Sequence, residues 1–211
     1  MKKTILIWIG VFGVTFAALF LMIRSQTKPS EEPINSEISV ITAQDRTIGN
    51  KDSGVVLVEY GDFQCPGCGQ YEPIVHKVRE DFKDKILFVY RHFIFAQKHT
   101  NAEPAAWAAE AAEKQGKFWE MHDMIFEHQN EWSEKSNAED IFLQYASSLG
   151  LDLEKFNRDR DAETTKDKVQ KSYDSAVANF INATPTFFLN GERIQPRSYE
   201  EFVGLIAKFN K

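Results

Sequence analysis

The chain has 211 residues, a formal net charge of −6 and 43% hydrophobic residues, with 11 glycines, 7 prolines and 2 cysteines. This apolar fraction excludes an intrinsically disordered chain, and two cysteines cannot form a multi-disulfide scaffold or a four-cysteine zinc site. The first 30 residues contain four basic side chains and none that is acidic, which leaves an acidic body and excludes sequence-independent binding to nucleic acid.

The first predicted element is an uncharged, mostly apolar run over residues 4–23. A helix of about 20 residues spans about 30 Å, the thickness of the hydrocarbon core of a bilayer, so we predict a single membrane anchor over residues 1–24. A cleavable signal peptide is the alternative, although its apolar core is usually only about 7–15 residues long and ends in small residues. Basic residues flank the run on both sides, so the positive-inside rule does not decide its orientation.

A tether and a folded domain are predicted to follow the anchor. Residues 25–47 begin with a polar, proline-containing stretch, which predicts an extended tether that ends in a possible edge strand. In the domain, over residues 48–211, short apolar runs at residues 54–61 and 86–90 predict strands that are covered on both faces. Apolar residues recur at helical spacing between these runs, so the three elements form a βαβ unit.

A block of helices is predicted next, over about residues 100–181. Its members are an alanine-rich segment from Glu103 to Lys114, apolar stripes from Phe118 to Phe126 and from Ile141 to Leu149 with Asn137 as a cap, and a stripe from Val169 to Phe180. A hairpin over residues 186–194 with its turn at Asn190-Gly191 comes after this block, and a last helix carries Phe202 and Phe209. The order predicts an α/β sheet with an all-helical insertion.

The two cysteines stand together as Cys65-Pro66-Gly67-Cys68, after a predicted strand and at the start of a predicted helix. Pro66 suits the first helical turn, where its missing N–H is not needed. Cys65 then takes the cap position, where free N–H groups and the helix dipole stabilise a thiolate and lower a thiol pKa from about 8.5 to about 3.5–7.5. Cys68 is placed to attack a mixed disulfide at Cys65, and Gly67 keeps the approach to Cys65 open.

Three other interpretations of the cysteine pair are weaker. A structural disulfide across so short a loop contributes only about 2 kcal/mol on the loop-entropy estimate. A zinc site needs two further ligands, and although His92 and His99 are available, no second close pair has standard spacing. Haem attachment needs a histidine directly after the second cysteine, where this chain has Gly69. We therefore favour redox chemistry without a metal or a cofactor.

Glu59 and the Thr184-Pro185 pair are the other informative positions. Glu59 lies in a predicted buried strand, six residues before Cys65, where a carboxyl has a raised pKa and can relay protons to and from Cys68. The alternative is a strand-end carboxylate that reaches solvent or pairs with Arg91. Thr184-Pro185 by itself indicates only a proline at the start of a strand, since about 5–6% of X-Pro bonds are cis.

Three separated motifs resemble DsbA-type thiol:disulfide oxidoreductases, which have a thioredoxin fold. Residues 58–68 (VEYGDFQCPGC) resemble the active-site segment, residues 116–123 (GKFWEMHD) a stretch of the helical insertion, and residues 183–191 (ATPTFFLNG) the cis-proline loop and its hairpin. The resemblance covers about residues 48–209 and is greatest to the membrane-tethered members of Gram-positive type.

The resemblance implies a role for each matching residue. Cys65 matches the exposed nucleophile, Cys68 the buried partner and Glu59 the buried acid beneath them. Thr184 and Pro185 match the loop that faces the disulfide, with Pro185 in the cis form and the loop backbone paired to an extended substrate. We include Pro66 and Gly67 in the same predicted substrate-binding surface.

Two departures from the family pattern limit what the resemblance implies. Gly67 stands where strongly oxidising members have histidine, so one positive group beside the thiolate is missing and the oxidising power is expected to be milder. Ile94 stands where the family has proline, which changes the edge of the binding surface. Four other histidines are predicted to be structural or solvated, namely His76, His92, His122 and His128.

Together these features predict a single-pass membrane protein, monomeric, with its catalytic domain outside the cytoplasm. The domain is expected to introduce disulfide bonds into reduced exported proteins and to be re-oxidised by a quinone-linked membrane partner, which the family implies. A disulfide reductase or isomerase is one alternative. A tethered binding or chaperone module with a structural disulfide is another.

Overall fold

The computed structural model describes residues 38, 40–42 and 44–209, which belong to one compact unit. The predicted anchor over residues 1–24 and most of the predicted tether lie outside the described residues. Within the described part of the chain, no helix combines the length and the apolar character needed to cross a bilayer.

The described elements follow the predicted order of βαβ, helices and ββα. They are β1 (Arg46–Gly49), β2 (Val56–Gly61), α1 (Pro66–Asp81), β3 (Leu87–His92), α2 (Ala102–Glu113), α3 (Phe118–Glu127), α4 (Gln129–Trp132), α5 (Ala138–Ser148), α6 (Leu153–Asp161), α7 (Glu163–Ala178), β4 (Thr186–Leu189), β5 (Glu192–Ile194) and α8 (Tyr199–Ala207). The predicted α/β sheet with a helical insertion is confirmed.

The sheet has the order β1-β3-β2-β4-β5, with β2 and β3 parallel at its centre and the remaining pairs antiparallel. Alternate residues of the central strands point to opposite faces. Leu57 and Phe88 pack on one face against Val75 of α1, and Val58 packs on the other against Ala176 of α7. Both faces are therefore covered, which explains why β2 and β3 are continuous apolar runs instead of alternating ones.

Helix α2 is the centre of the insertion. All seven of its alanines are fully buried, and the small side chains allow α3, α5, α6 and α7 to pack closely around it; they are Ala102, Ala105, Ala106, Ala108, Ala109, Ala111 and Ala112. The insertion packs beside the carboxyl end of β2, where Phe126 contacts Phe63 just before the cysteine motif.

Described residues before 48 also pack on the domain. Ile38 is buried in the core on the α7 face of the sheet. The Arg91 guanidinium donates to the carbonyl oxygens of Ile38 and Val40, each at 2.9 Å, and forms an ion pair with Asp45 at 2.6 Å. Strand β1 lies at the edge of the sheet, and described residues before it bind Arg91 of β3. The polar stretch that predicts an extended tether lies outside the described residues.

Several helix details are also corrected. Helix α7 ends at Ala178, because the N–H of Ile181 bonds to the carbonyl of Ala176 and turns the chain at Phe180, which has a φ of 56° and is 88% exposed. Phe209 likewise lies beyond α8, and the Asn137 side chain makes no capping hydrogen bond to α5.

Helices α4 and α6 were not predicted. Helix α6 has a single buried residue, Phe156, and α4 is only one turn long, so neither has an apolar stripe that a periodic pattern could reveal. Helix α6 does begin with a cap, because the Asp152 carboxylate accepts the N–H of Lys155 at 2.9 Å.

Candidate active site

The cysteine motif lies at the junction of β2 and α1, as the sequence predicts. Cys65 is the N-cap residue of α1, with φ −67° and ψ 120°, and Pro66 is the first helical residue. The Cys65 thiol lies 3.4 Å from the carbonyl oxygen of Thr184, to which it can donate. Cys68 is buried, and its sulfur accepts the N–H of Asp62 at 3.5 Å. Both cysteines are free thiols.

The pKa values of the two thiols are shifted in opposite directions. A hydrogen bond from the Cys68 thiol, aided by the Thr184 hydroxyl and the N–H groups of Cys68 and Gly67, outweighs partial burial and lowers the pKa of Cys65 to about 5. Burial, with the neighbouring charges of Cys65 and Glu59, raises the pKa of Cys68 well above its ordinary value. At neutral pH the accessible sulfur is therefore ionised and the buried sulfur carries its proton.

Glu59 lies beneath the cysteines on β2, opposite Tyr90 of β3 and Phe187 of β4. It is 1% exposed, and its Oε2 atom has no hydrogen-bond partner among the described residues. Burial and the charge of Glu72 raise the pKa of Glu59 well above its usual range, against the opposing effect of Arg79. The alternative pairing with Arg91 does not form, since Arg91 binds Asp45.

The Thr184-Pro185 loop faces the cysteine motif. Its peptide bond is cis. A Cβ atom added to Gly67 would lie 3.4 Å from Cδ of Pro185 and 3.6 Å from Sγ of Cys65, so the three residues are in van der Waals reach of one another. The sequence-predicted residues Cys65, Pro66, Gly67, Thr184 and Pro185 thus surround one accessible sulfur.

A buried ionic cluster behind the cysteines was missed by the sequence analysis. Arg79 Nη2 donates to Glu72 Oε1 at 2.7 Å and to Asp123 Oδ1 at 2.6 Å, and His122 Nδ1 lies 2.8 Å from the same Asp123 oxygen. Glu72 and Arg79 follow Cys68 by 4 and 11 residues, which places all three on one helix face. Two charged residues on the buried face of α1 were the pattern that could have revealed this cluster.

The pKa values within this cluster are shifted in different directions. Burial raises the pKa of Glu72 to about 8 despite the Arg79 charge, and burial lowers the pKa of His122 to about 4. Burial opposes ionisation of Asp123 as well, but the hydrogen bond from His122 and the Arg79 charge outweigh it and hold that pKa at about 2. Potential ligand atoms of Glu72, His122 and Asp123 lie within 4.8 Å of one another, yet the Arg79 guanidinium already supplies the positive charge between the two carboxylates.

The other histidines considered as ligands bind carboxylates. His92 Nε2 lies 3.2 Å from Glu110 Oε1, and His99 Nδ1 lies 2.7 Å from Asp62 Oδ2. The same Asp62 oxygen accepts the N–H of Phe95 at 3.0 Å. His99 and Phe95 therefore hold Asp62, whose backbone N–H donates to the sulfur of Cys68.

Comparison with known proteins agrees with this geometry. The sequence model of the family described as Thioredoxin matches residues 42–208. The chain is similar to oxidised BdbD from Bacillus subtilis, with 28% identity, a TM-score of 0.70 and coverage of 78% of this chain and 92% of that chain. The alpha-DsbA1 protein of Wolbachia pipientis shares the fold, with 20% identity, a TM-score of 0.74 and coverage of 83% and 95%.

Curated relatives are similar over the same domain. The protein named Na(+)/H(+) antiporter NhaA 1 of Mycolicibacterium vanbaalenii is 42% identical over 154 residues, which are 71% of this chain and 24% of that protein. The protein of the same name from Salinispora arenicola is 40% identical over 164 residues, 78% of this chain and 24% of that protein. The chain spans about a quarter of the length of these curated relatives.

Proposed function

The chain belongs to the thioredoxin family and has the DsbA type of its fold, and we propose that it is a thiol:disulfide oxidoreductase that oxidises cysteine pairs in exported proteins. The observation that carries the proposal is the contrast between its two sulfurs. Cys65 is accessible, with a pKa of about 5, whereas Cys68 is buried and its pKa is raised. Such a pair accepts attack at one sulfur only and releases the other.

The first step begins with the Cys65–Cys68 disulfide. A substrate thiolate attacks Sγ of Cys65, the accessible sulfur, while the loop at Thr184 and Pro185 holds the extended substrate backbone. The Cys65–Cys68 bond breaks, and its electron pair passes to Cys68. Glu59, whose pKa is raised by burial, gives the proton that converts Cys68 to a thiol.

The second step releases the product. The second substrate thiolate attacks the substrate sulfur of the mixed disulfide, and the bond to Cys65 breaks. Cys65 leaves as a thiolate that needs no proton, because its pKa lies well below neutral pH. Two electrons have passed from the substrate dithiol to the protein, and the substrate carries a new disulfide.

The expected direction of electron flow depends on whether the reduced or the oxidised form of the protein is stabilised. Hydrogen bonds to the Cys65 thiolate exist only in the reduced protein, so they favour reduction of its own disulfide and make that disulfide an oxidant. Gly67 supplies no positive charge beside the sulfur, which predicts a weaker oxidant than family members with histidine there.

A redox titration tests this proposal. We expect the equilibrium of Cys65–Cys68 with a glutathione buffer to give a potential clearly above about −270 mV, the value for thioredoxin. A potential close to that value would favour the reductase alternative. In a separate assay, Cys65→Ser should lose oxidation of a reduced test protein, and oxidation that survives in this variant would overturn the mechanism. Cys68→Ser, mixed with a test protein that carries a disulfide, should trap a mixed disulfide, because its Cys65 thiolate attacks the substrate disulfide and no second cysteine resolves the product.

The proposal places the domain outside the cytoplasm, tethered as a monomer to the cell membrane and re-oxidised by a quinone-linked membrane partner. Its support is the uncharged run over residues 4–23 and the oxidising compartment that a disulfide-forming enzyme requires. Protease digestion of intact cells and a membrane fraction test it, since an extracytoplasmic domain is cleaved without lysis and sediments with the membrane. An isomerase or a chaperone role would instead show activity that is independent of net oxidation.

A further inference from the structure

We propose that Gln129, the first residue of α4, is a positioning residue that holds the active-site turn in the shape that presents Cys65. The inference deepens the proposed function, because it concerns the same sulfur. Gln129 belongs to the helical insertion and lies more than 60 residues along the chain from the turn it contacts. The insertion would thus act on the nucleophile through one amide group.

The contacts of Gln129 are made with the backbone on both sides of the turn. Its Nε2 donates to the carbonyl oxygen of Phe63 at 2.6 Å and to that of Cys65 at 3.0 Å. A side-chain amide nitrogen carries two donors in a fixed plane, so one group satisfies both carbonyls. A carboxylate or an apolar side chain at this position has no donor to offer either of them.

Gly69 leaves the space in which this amide lies. The carbonyl of Cys65 also accepts the N–H of Gly69 at 3.1 Å, so that carbonyl is held from two directions. A Cβ atom added to Gly69 would lie 2.5 Å from Oε1 of Gln129, well inside van der Waals contact. The Gln129 side chain occupies the space that a larger residue at position 69 would need, which explains why a glycine follows the second cysteine.

One further side-chain amide, that of Gln64, joins the turn to the insertion through two hydrogen bonds. Gln64 Nε2 donates to the carbonyl of Ser133 at 2.6 Å, and Gln64 Oε1 accepts the N–H of Asn101 at 2.7 Å. These contacts fix the side chain next to Cys65 in sequence. Gln129 differs from Gln64 because it binds the backbone carbonyl of Cys65, the nucleophilic residue itself.

The consequence concerns the donors that face the Cys65 sulfur. The backbone N–H groups of Gly67 and Cys68 contribute to the low pKa of the Cys65 thiol, and their position relative to the sulfur depends on the shape of the turn. If the carbonyls of Phe63 and Cys65 lose their shared donor, the turn relaxes and these contacts lengthen. The thiolate is then stabilised less, and less of it is present at acid pH.

A double-mutant cycle tests the proposal in the full-length reduced protein. The variants are Gln129→Ala, Gly69→Ala and the pair, and the measurement is the rate of Cys65 alkylation by iodoacetamide against pH. We expect Gln129→Ala to slow alkylation at pH 5 by about three- to tenfold, the effect of losing one or two backbone hydrogen bonds. Gly69→Ala should be slowed similarly because it displaces the amide, and the double variant should be no slower than Gln129→Ala alone.

Matched controls separate positioning from general stability. Gln115 also bridges backbone groups through its amide, to the N–H and carbonyl of Asp152, but both of these residues lie within the insertion. Gln115→Ala should leave the alkylation profile unchanged. Gln129→Met keeps the side-chain volume without the donors and should match Gln129→Ala, with thermal unfolding as the check that each variant is folded.

The outcomes distinguish this inference from the proposed function. An unchanged alkylation profile in folded Gln129→Met, or single-variant effects that multiply in the double variant, would overturn the positioning role. These measurements need no substrate. If the double-mutant cycle gives the expected alkylation rates but the protein does not oxidise a reduced test protein, the role of Gln129 is supported and the proposed oxidase function is contradicted.

Discussion

The acidity of Cys65 should depend on Cys68 more than on any other single group. Among the interactions that lower the pKa of Cys65 to about 5, the hydrogen bond from the Cys68 thiol is the largest, ahead of the Thr184 hydroxyl and the N–H groups of Cys68 and Gly67. We therefore choose Cys68→Ala as the perturbation, because it removes the thiol donor and keeps the backbone donors. The variant should retain an acidic Cys65 that is less acidic than in the wild type.

The size of the effect follows from the ionised fraction. With a pKa of about 5, half of Cys65 is a thiolate at pH 5. An ordinary thiol, with a pKa of about 8.5, is less than about 0.1% ionised at that pH. Loss of the largest of four contributions should raise the pKa of Cys65 by at least about one unit, which lowers the thiolate fraction at pH 5, and hence the alkylation rate, by about fivefold.

The assay is iodoacetamide alkylation of the reduced protein between pH 4 and 9, with the thiolate absorbance in the ultraviolet as an independent titration. Cys68→Ser is the matched control, because its hydroxyl keeps a donor near the same place, and its loss should be smaller than that of Cys68→Ala. If both variants titrate with the wild-type midpoint, the helix end and the backbone N–H groups alone set the acidity, and the argument from Cys68 is wrong.

Two further predictions concern the buried acids. Glu59→Gln removes the proposed proton donor to Cys68, so stopped-flow reduction of the Cys65–Cys68 disulfide by a substrate peptide should slow about 100-fold. Glu80→Gln, on the exposed face of α1, should not change that rate, and equal rates in the two variants would exclude the proton relay. Because burial raises the pKa of Glu72 to about 8, the folded state binds more protons than the unfolded state between about pH 4.5 and 8, and the free energy of unfolding should fall as pH rises through that range. Glu72→Gln should flatten this dependence in urea unfolding at a series of pH values, and a slope identical to the wild type would contradict the raised pKa.

The cap position of Cys65, the central strands and the hairpin could be predicted from the sequence, because each depends on neighbouring residues or on a local pattern. The cap position of Cys65 depends on its immediate neighbours, since Pro66 suits only the first turn of a helix and the N–H groups that help to lower the thiol pKa belong to Gly67 and Cys68. The strands β2 and β3 are likewise apparent, because their short apolar runs reflect burial on both faces. A hairpin with its turn at Asn190-Gly191 needs only the backbone preferences of two residues.

The tertiary structure alone decided which distant groups meet these local elements. Arg79 reaches Asp123 across 44 residues, and Gln129 reaches the Cys65 carbonyl across 64. The approach of Thr184 to Cys65, across 119 residues, was predicted only through the family resemblance. Periodicity cannot reveal such contacts, because a polar residue that will be buried has the same one-dimensional pattern as one that stays in solvent. Burial then sets the acidity of Glu59, Glu72 and Cys68, and burial is a property of the packed fold.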